Sequence, residues 1–282
     1  MRQRWRRLMM GAATLLGRRR GFFSPYRYAA TVGLPAGYPA LETAFAGAFA
    51  AEATGGMVTP ADVWAAIGAR AGALAALDGP APRPRWGQSW YPRLDGAAAY
   101  AIVAAARPRR IVEVGSGHST RFMAEAVRAE GLSTTITCID PAPRAALLDL
   151  PVTWERRVLG QADLARFEAL EAGDIAFFDS SHLLWPGTDV DLILNAILPV
   201  LRPGVLIHLH DVFLPDPYPA SWAWRGYTEQ LGLSGWLLGG GASILWASHY
   251  ARTRAGAADH LSIAPLPLPA EAPESALWLI RR

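Results

Sequence analysis

Ile111-Val112-Glu113-Val114-Gly115-Ser116-Gly117-His118-Ser119-Thr120 joins an apolar run to two glycines that are one residue apart. The segment 122–127 continues with apolar residues at helical spacing, so we predict a strand, a tight turn and the start of a helix. Glycines let a backbone approach a ligand closely, and the free N–H groups of a helix start attract anionic or electron-rich atoms. The turn is therefore predicted to hold a nucleotide-like cofactor.

The residues around the glycines narrow the type of cofactor. A dinucleotide fingerprint would have a third glycine where Thr120 stands. The pattern E-x-G-x-G, which begins at Glu113, resembles motif I of class I S-adenosylmethionine (SAM)-dependent methyltransferases. This resemblance implies a SAM site formed by Glu113, Gly115, Ser116, Gly117, Ser119 and Thr120. A glycine turn that holds no ligand is the alternative interpretation.

A second acid follows the next predicted strand. The β-branched run 134–139 ends in Asp140, which precedes Pro141. In Rossmann-like sheets an acid at this strand end lies near the ribose hydroxyls, about twenty residues after the glycines. We therefore expect Asp140 to bind ribose. The alternative is that Asp140 caps a short helix beginning at Pro141, and both roles are compatible.

Composition limits the class of protein. The 282 residues are 51% hydrophobic, which suits one α/β domain with an N-terminal extension, or at most two domains. The single cysteine, Cys138, excludes a disulfide framework and a cysteine-rich zinc site. All 27 basic residues are arginines, so no lysine is present to act as a catalytic base.

The N-terminal residues 1–28 form a basic arm, with eight arginines before the first acid at Glu42. One helical face carries the apolar residues Trp5, Leu8, Ala12, Leu15 and Leu16. The arm is too short to span a bilayer, and it has no clear signal-peptide cleavage site. We expect a cytoplasmic protein. Three interpretations of the arm stay open: peripheral contact of residues 1–20 with the inner face of a membrane, a disordered segment, or a helix docked on the body.

The rest of the chain is predicted to comprise a helical cap and linker region over 29–92 and a methyltransferase domain over 93–282. Helices are expected near 40–53, 60–77 and 94–106. From residue 109 strands and helices alternate, which favours a parallel sheet covered by helices on both faces. The predicted strands are 110–115, 134–139, 153–158, 174–179, 203–209, 242–247 and 276–281, the last two as a hairpin-like pair.

Two predicted strands end in acids and histidines. Asp179 and His182 follow one strand, and His210 and Asp211 follow another. Ligands of open α/β sheets bind at the carboxyl ends of the strands, so these four side chains are expected beside the glycine turn, with Asp179 also expected to contact the cofactor. Aspartate and histidine from neighbouring strand ends are also suitable ligands for a divalent cation.

These motifs together carry a more specific resemblance, over about residues 93–232. E-V-G-S-G-H-S-T, C-I-D-P, F-F-D-S-S-H and L-R-P-G-V-L-I-H-L-H-D-V-F-L-P-D-P-Y-P resemble the methyltransferase-24 family of class I SAM-dependent methyltransferases. The resemblance implies an α/β fold: the Rossmann-like seven-stranded class I methyltransferase fold, here with an N-terminal helical extension. The family's substrates are largely undefined.

A more distant similarity is to the metal-dependent catechol O-methyltransferase type. It implies a metal held by Asp179, His210 and Asp211, with a catalytic base at position 182. This chain departs from that pattern because it has His-Asp in place of Asp-Asn, and His182 in place of lysine. Histidine ligands suit manganese, iron or zinc better than magnesium. The departure also permits a metal-free mechanism in which His182 or His210 takes the proton from a hydroxyl.

Other polar and aromatic residues support weaker predictions. Gln161 and Asp163 follow the third strand, where this fold usually contacts adenine. His208 is expected to be a hydrogen-bonded core histidine. Two aromatic groups are expected either to line a substrate pocket or to pack in the core: Trp86, Trp90 and Tyr91 before the first strand, and Tyr218, Trp222, Trp224 and Tyr227 after the fifth.

The leading functional hypothesis is SAM-dependent methylation of an oxygen on a small molecule. The alternative is a non-catalytic SAM-binding module recruited to a membrane by the arm. Thr120 disfavours a nicotinamide oxidoreductase. Nucleic-acid methylation is disfavoured because residues after the arm carry 19 arginines against 24 acids, and because no N-P-P-Y-type motif is present. The sequence defines neither the acceptor nor the oligomeric state.

Overall fold

The computed structural model describes residues 2–18, 20–22, 25–33 and 35–282. In this part of the chain seven strands form one sheet in the order β3-β2-β1-β4-β5-β7-β6. The strands are β1 Arg110–Val114, β2 Thr135–Ile139, β3 Thr153–Glu155, β4 Ile175–Phe178, β5 Leu206–Leu209, β6 Ala242–Ala247 and β7 Leu277–Arg281. Strands β1 to β5 pair in parallel, and β7 is antiparallel to both of its neighbours. The predicted Rossmann-like, seven-stranded α/β fold is confirmed.

Helices cover both faces of the sheet. The α-helices of the described residues are α1 Arg2–Leu15, α2 Pro39–Phe49, α3 Pro60–Ala69, α4 Ala71–Ala75, α5 Arg93–Ala106, α6 His118–Ala129, α7 Leu164–Glu168, α8 Asp189–Leu192, α9 Leu198–Val200, α10 Glu229–Leu238 and α11 Ser248–Arg254. A π-helical turn, Ile193–Ile197, connects α8 to α9. None of the helices in the described ranges is long and apolar enough to cross a membrane.

The sheet separates two hydrophobic cores because side chains alternate along each strand. Ile111 and Phe177 pack on the face covered by α3, α5 and α6. Val112 and Phe178 pack on the opposite face, with α2 and α10. The central strands β4 and β5 are fully buried, as expected for parallel strands covered on both sides. Two packed cores thus hold the carboxyl ends of β1, β2, β4 and β5 at one edge.

Several predicted boundaries were wrong. The helix predicted over 60–77 divides at Arg70, whose backbone angles (φ −114°, ψ 12°) leave the helical region. Strand β3 ends at Glu155 rather than at 158, and Arg157 turns its side chain to Asp163 instead. Residues 1, 19, 23 and 24 of the predicted arm lie outside the described residues.

Candidate functional site

The glycine turn lies against the end of β4. Gly115 has φ of 75°, and a Cβ on this residue would lie 1.9 Å from the main-chain oxygen of Asp179. The Asp179 N–H donates to the carbonyl of Val114 at 2.8 Å. Glycine is therefore required at position 115 by both its backbone conformation and the close approach of another strand end.

Asp140 faces the same turn. Its Oδ2 accepts hydrogen bonds from the Ser116 N–H at 2.6 Å and from Ser116 Oγ at 3.1 Å, and its Oδ1 accepts from the Ala142 N–H at 2.7 Å. The alternative that Asp140 caps a helix was wrong, because residues 141–152 contain none. The bond to Ala142 instead closes a turn around Pro141.

A cavity of about 410 Å³, which we call cavity A, opens between the ends of β1 and β2. Gly115, Ser116 and Asp140 line one side, and Val158 and Leu159 line another. Its volume falls within the ~300–1,000 Å³ typical of small-molecule sites. Cavity A therefore combines a close backbone approach, a buried carboxylate and apolar side chains.

Four of the predicted cofactor-binding residues do not line cavity A: Glu113, Gly117, Ser119 and Thr120. Glu113 is fully buried, and its carboxylate accepts hydrogen bonds from Ser119 Oγ at 2.6 Å and Thr120 Oγ1 at 2.7 Å. The Gly117 N–H also donates to Thr120 Oγ1. Burial raises the pKa of Glu113 to about 7, although these hydrogen bonds oppose the shift. In this arrangement Glu113 braces the turn, and direct contact with a ligand stays a prediction.

Gln161 and Asp163, the predicted adenine contacts, do not line cavity A either. Gln161 is exposed on a short 3₁₀ helix, Gln161–Asp163. Asp163 is buried and forms an ion pair with Arg157 at 2.5 Å. The neighbouring Val158 and Leu159 line cavity A instead.

A second cavity, cavity B, has a volume of about 270 Å³. Its wall includes His182, His210 and Asp211. Asp179 and Arg144 line both cavities. The polar strand ends predicted from the sequence thus meet at one place, directly beside the glycine turn.

His182 is held on both sides of its ring. Nδ1 lies 2.9 Å from Oε2 of Glu229, and Nε2 lies 3.3 Å from Oδ1 of Asp179 and 3.5 Å from Oδ2 of Asp211. The His182 carbonyl also accepts from the main-chain N–H groups of Thr228 and Glu229. The start of α10 therefore fixes both the backbone and the ring of His182.

His210 lies across the same two aspartates. Its Nδ1 is 3.6 Å from Oδ1 of Asp179 and 3.5 Å from Oδ1 of Asp211. Its Nε2 is 3.4 Å from Oδ2 of Asp95, which also accepts from the N–H of Ser275. Each imidazole thus has carboxylates at both nitrogens.

These contacts shift the pKa values in opposite directions. Burial alone would lower the pKa of His182 and His210, but the surrounding carboxylates outweigh it and raise both pKa values well above the ordinary value. Burial alone would raise the pKa of Asp179, yet the two imidazoles hold it well below its usual range. The shifts favour an imidazolium at His182 and His210 and an ionised carboxylate at Asp179.

Two members of the cluster have left-handed backbones. His182 has φ of 59° and Asp211 has φ of 54°. Such conformations are uncommon for residues other than glycine and cluster at functional sites, where the surrounding structure maintains them. Here the main-chain bonds to α10 hold His182, and Ser275 Oγ donates to Asp211.

No metal centre is formed by the predicted metal ligands in the described part of the chain. Among the residues that the structure describes, no three His, Cys, Asp or Glu side chains have the geometry to hold a metal ion. Asp179, His210 and Asp211 carry chemically suitable donors. A metal held by these three residues therefore stays a prediction.

Sequence reasoning missed Asp95 and Glu229. Asp95 lies in the first turn of α5 and Glu229 begins α10, where an acid is an ordinary helix-start residue. Their partners are 115 and 47 residues away in sequence. No local pattern could have identified these contacts.

The remaining predictions divide between core and cavity. Trp90 and Trp222 line cavity B, whereas Trp86 and Tyr91 are buried in the core. The ring of Tyr227 lies 4.5 Å from that of His182.

His208 is a core residue as expected, with its ring stacked on Phe177 at 3.9 Å. The expected hydrogen bond was wrong, because neither ring nitrogen has a partner among the described residues. Burial lowers the pKa of His208 well below its ordinary value, so it packs as a neutral aromatic ring.

Comparison with known proteins supports the predicted resemblance. Residues 112–212 match the model of the methyltransferase-24 family, described as a methyltransferase domain. This segment contains the glycine turn, Asp140 and the cluster around Asp179. A search of curated proteins finds no significant match.

Solved structures that resemble the chain include three with low identity. CmcI with Mg and SAM is 16% identical, with 73% of this chain and 86% of that chain covered and a TM-score of 0.41. The SAH-bound methyltransferase PaMTH1 of Podospora anserina is 15% identical, with 93% and 99% covered and a TM-score of 0.39. The O-methyltransferase of Bacillus cereus with SAH is 18% identical, with 61% and 71% covered and a TM-score of 0.29.

Proposed function

We propose that the protein is a class I SAM-dependent methyltransferase that methylates a hydroxyl oxygen of a small-molecule acceptor, since residues 112–212 match the methyltransferase-24 family. The observation that carries this proposal is that cavities A and B share Asp179. Cavity A would hold SAM and cavity B the acceptor. A cofactor and an acceptor on either side of Asp179 would have their reacting groups close together, as methyl transfer requires.

The residues of cavity A fit the cofactor. Gly115 and Ser116 of the glycine turn line this cavity, and Asp140 presents a carboxylate for the ribose hydroxyls. Bound SAM supplies an electrophilic methyl group on a positively charged sulfonium. The Asp179 carboxylate, ionised because its pKa is depressed, offers a negative charge at the junction of the two cavities.

We propose His182 as the general base for the acceptor hydroxyl. Its Nε2 faces Asp179 and Asp211 on the wall of cavity B, while Glu229 holds Nδ1 and fixes the ring orientation. To accept a proton, His182 must first lose the Nε2 proton that the carboxylates stabilise. A positive charge close to Asp179 weakens that stabilisation, so a filled cavity A favours the neutral imidazole.

The proposal is tested in two stages. Calorimetry measures SAM binding to the wild type and to Asp140→Ala, whose affinity should fall by about 1–3 kcal/mol through loss of charge-assisted hydrogen bonds. A panel of phenols, sugars and lipid headgroup alcohols is then tested for transfer of a labelled methyl group from SAM. SAM binding without transfer to any acceptor would favour the non-catalytic binding module. Unchanged affinity of Asp140→Ala would refute the ribose assignment.

A further inference from the structure

The apolar face of α1 points away from the rest of the protein. Trp5, Leu8, Met9 and Leu15 follow at helical spacing and Leu16 comes directly after the helix; all are exposed, Trp5 at 63% and Leu15 at 71%. An amphipathic helix of a globular protein normally turns this face toward the core. In this chain the apolar face of α1 is left for another partner.

The opposite side of α1 faces the body. Arg7 Nη1 donates to the carbonyl of Ala223 at 3.4 Å, and Ala13 and Thr14 are half-buried. Beyond the helix, the ring of Phe22 stacks on Trp185 with centroids 5.1 Å apart. The arm therefore lies on the body in an orientation that exposes its apolar residues.

The charge of the arm indicates an anionic partner. Residues 1–28 contain eight arginines, and no acid precedes Glu42. An anionic bilayer satisfies both properties, since arginines bind lipid headgroups while tryptophan and leucine enter the headgroup–acyl boundary. A nucleic acid would leave the apolar face exposed.

The arm meets the body beside cavity B. Ala223 adjoins Trp222, and both Trp222 and Arg225 line that cavity. Trp90, on the same cavity wall, is 50% exposed. We propose that α1 docks the protein on an anionic bilayer, and that the acceptor is an amphiphile presented at that surface. The second part rests on the proposed function; the docking does not.

Docking is tested with the full chain and vesicles of phosphatidylglycerol and phosphatidylcholine, against vesicles of phosphatidylcholine alone. We expect sedimentation with the anionic vesicles only. The double variant Trp5→Glu/Leu8→Glu should partition at least ~10-fold more weakly, because it puts charges into the apolar face. The matched control, Leu261→Glu, changes a residue that is 90% exposed outside the arm and should behave as the wild type.

Equal binding by the double variant, or tighter binding to single-stranded RNA than to the anionic vesicles, would overturn the docking. Melting temperatures of the variants check that they are folded. Deletion of residues 1–20 should abolish sedimentation and leave SAM affinity unchanged. Loss of SAM binding in the truncated protein would instead assign the arm to the cofactor site.

The acceptor class is tested with labelled SAM and isolated bacterial membranes. We expect the label in the organic-solvent extract, and a loss of at least ~10-fold in the double variant at limiting membrane concentration. Label only in water-soluble products would overturn the amphiphile assignment while leaving the docking intact. No transfer to any acceptor would refute the proposed function, with the sedimentation result unaffected.

Discussion

Cavities A and B are built in different ways, although they share a wall. Cavity A is shaped mainly by the main chain: Gly115 permits the close approach of the Asp179 backbone, and the Ser116 N–H orients the Asp140 carboxylate. Cavity B is formed by buried charged side chains whose partners come from α5, β4, β5 and α10. The cofactor side thus depends on local backbone geometry, whereas the acceptor side depends on long-range charge pairing.

The contact of Gly115 with Asp179 connects the two sides, and breaking it should have the largest effect. Gly115→Ala puts a Cβ 1.9 Å from the Asp179 carbonyl at a positive φ. The combined overpacking and backbone strain amount to roughly 2–6 kcal/mol. We expect SAM affinity and turnover to fall together, each by between ~30-fold and ~10⁴-fold if the whole penalty falls on the site.

Gly131→Ala is the matched control. Gly131 also has positive φ (60°), but a Cβ there would meet nothing within 4 Å. This variant introduces the backbone strain without the steric clash, so its SAM affinity should remain near that of the wild type. A similar loss in both variants would show that the close approach to Asp179 is unimportant.

On the acceptor side, His182→Ala should lower turnover by ~10²–10⁴-fold, the usual loss for a general base, with little change in SAM affinity. His182→Gln should fail similarly, because glutamine accepts no proton. Since the pKa of His182 is raised, the wild-type rate should fall with decreasing pH from a point above the ordinary value near 6.5.

Turnover is measured across pH 5–9, with and without a chelator. Glu229→Gln keeps the contact to Nδ1 but removes the charge, so it should move the acidic limb to lower pH. A near-wild-type rate in either His182 variant would remove this residue from the mechanism. A loss of turnover in the presence of the chelator would indicate that the reaction requires a metal ion.

The difference between the cavities also explains how far the sequence could be interpreted. Glycine spacing and the strand-end acid Asp140 are local patterns, and apolar alternation specifies the strands, so the fold and cavity A could be anticipated. The four charged residues at the ends of β4 and β5 were also recognisable. The pKa values of the two histidines depend in part on Glu229 and Asp95, whose contacts exist only after the chain has folded.

Glu113 sharpens the comparison, because it is a fully buried acid on the cofactor side. Its pKa is raised from 4.5 to about 7, so the bound proton stabilises the folded state below pH 4.5, and this contribution is lost as the pH rises through 7. The loss corresponds to about 3 kcal/mol. Glu113→Gln mimics the protonated form, so its advantage over the wild type should grow between pH 5 and pH 8.

Denaturant unfolding of both proteins over this pH range measures that difference. Glu113→Ala provides the control: it also removes the charge, but it leaves Ser119 and Thr120 without their acceptor and should be less stable than Glu113→Gln at every pH. Parallel stability curves for the wild type and Glu113→Gln would mean that Glu113 is ionised in the folded protein and binds a cation or is hydrated.

The smallest effect is expected at the rim where the cavities meet. The guanidinium of Arg144, which lines both cavities, lies over the ring of Trp90 at 4.2 Å from its centroid, and Trp90 lines only cavity B. A cation–π contact at a half-exposed site is worth about 0.5–1 kcal/mol. Trp90→Ala should therefore raise the acceptor KM by roughly 2–5-fold and leave kcat and SAM affinity nearly unchanged. Trp90→Phe retains an aromatic face for Arg144 and should recover most of the KM. If Trp90→Ala weakens SAM binding and leaves the acceptor KM unchanged, Arg144 acts chiefly on the cofactor. Arg144 would then belong to cavity A alone.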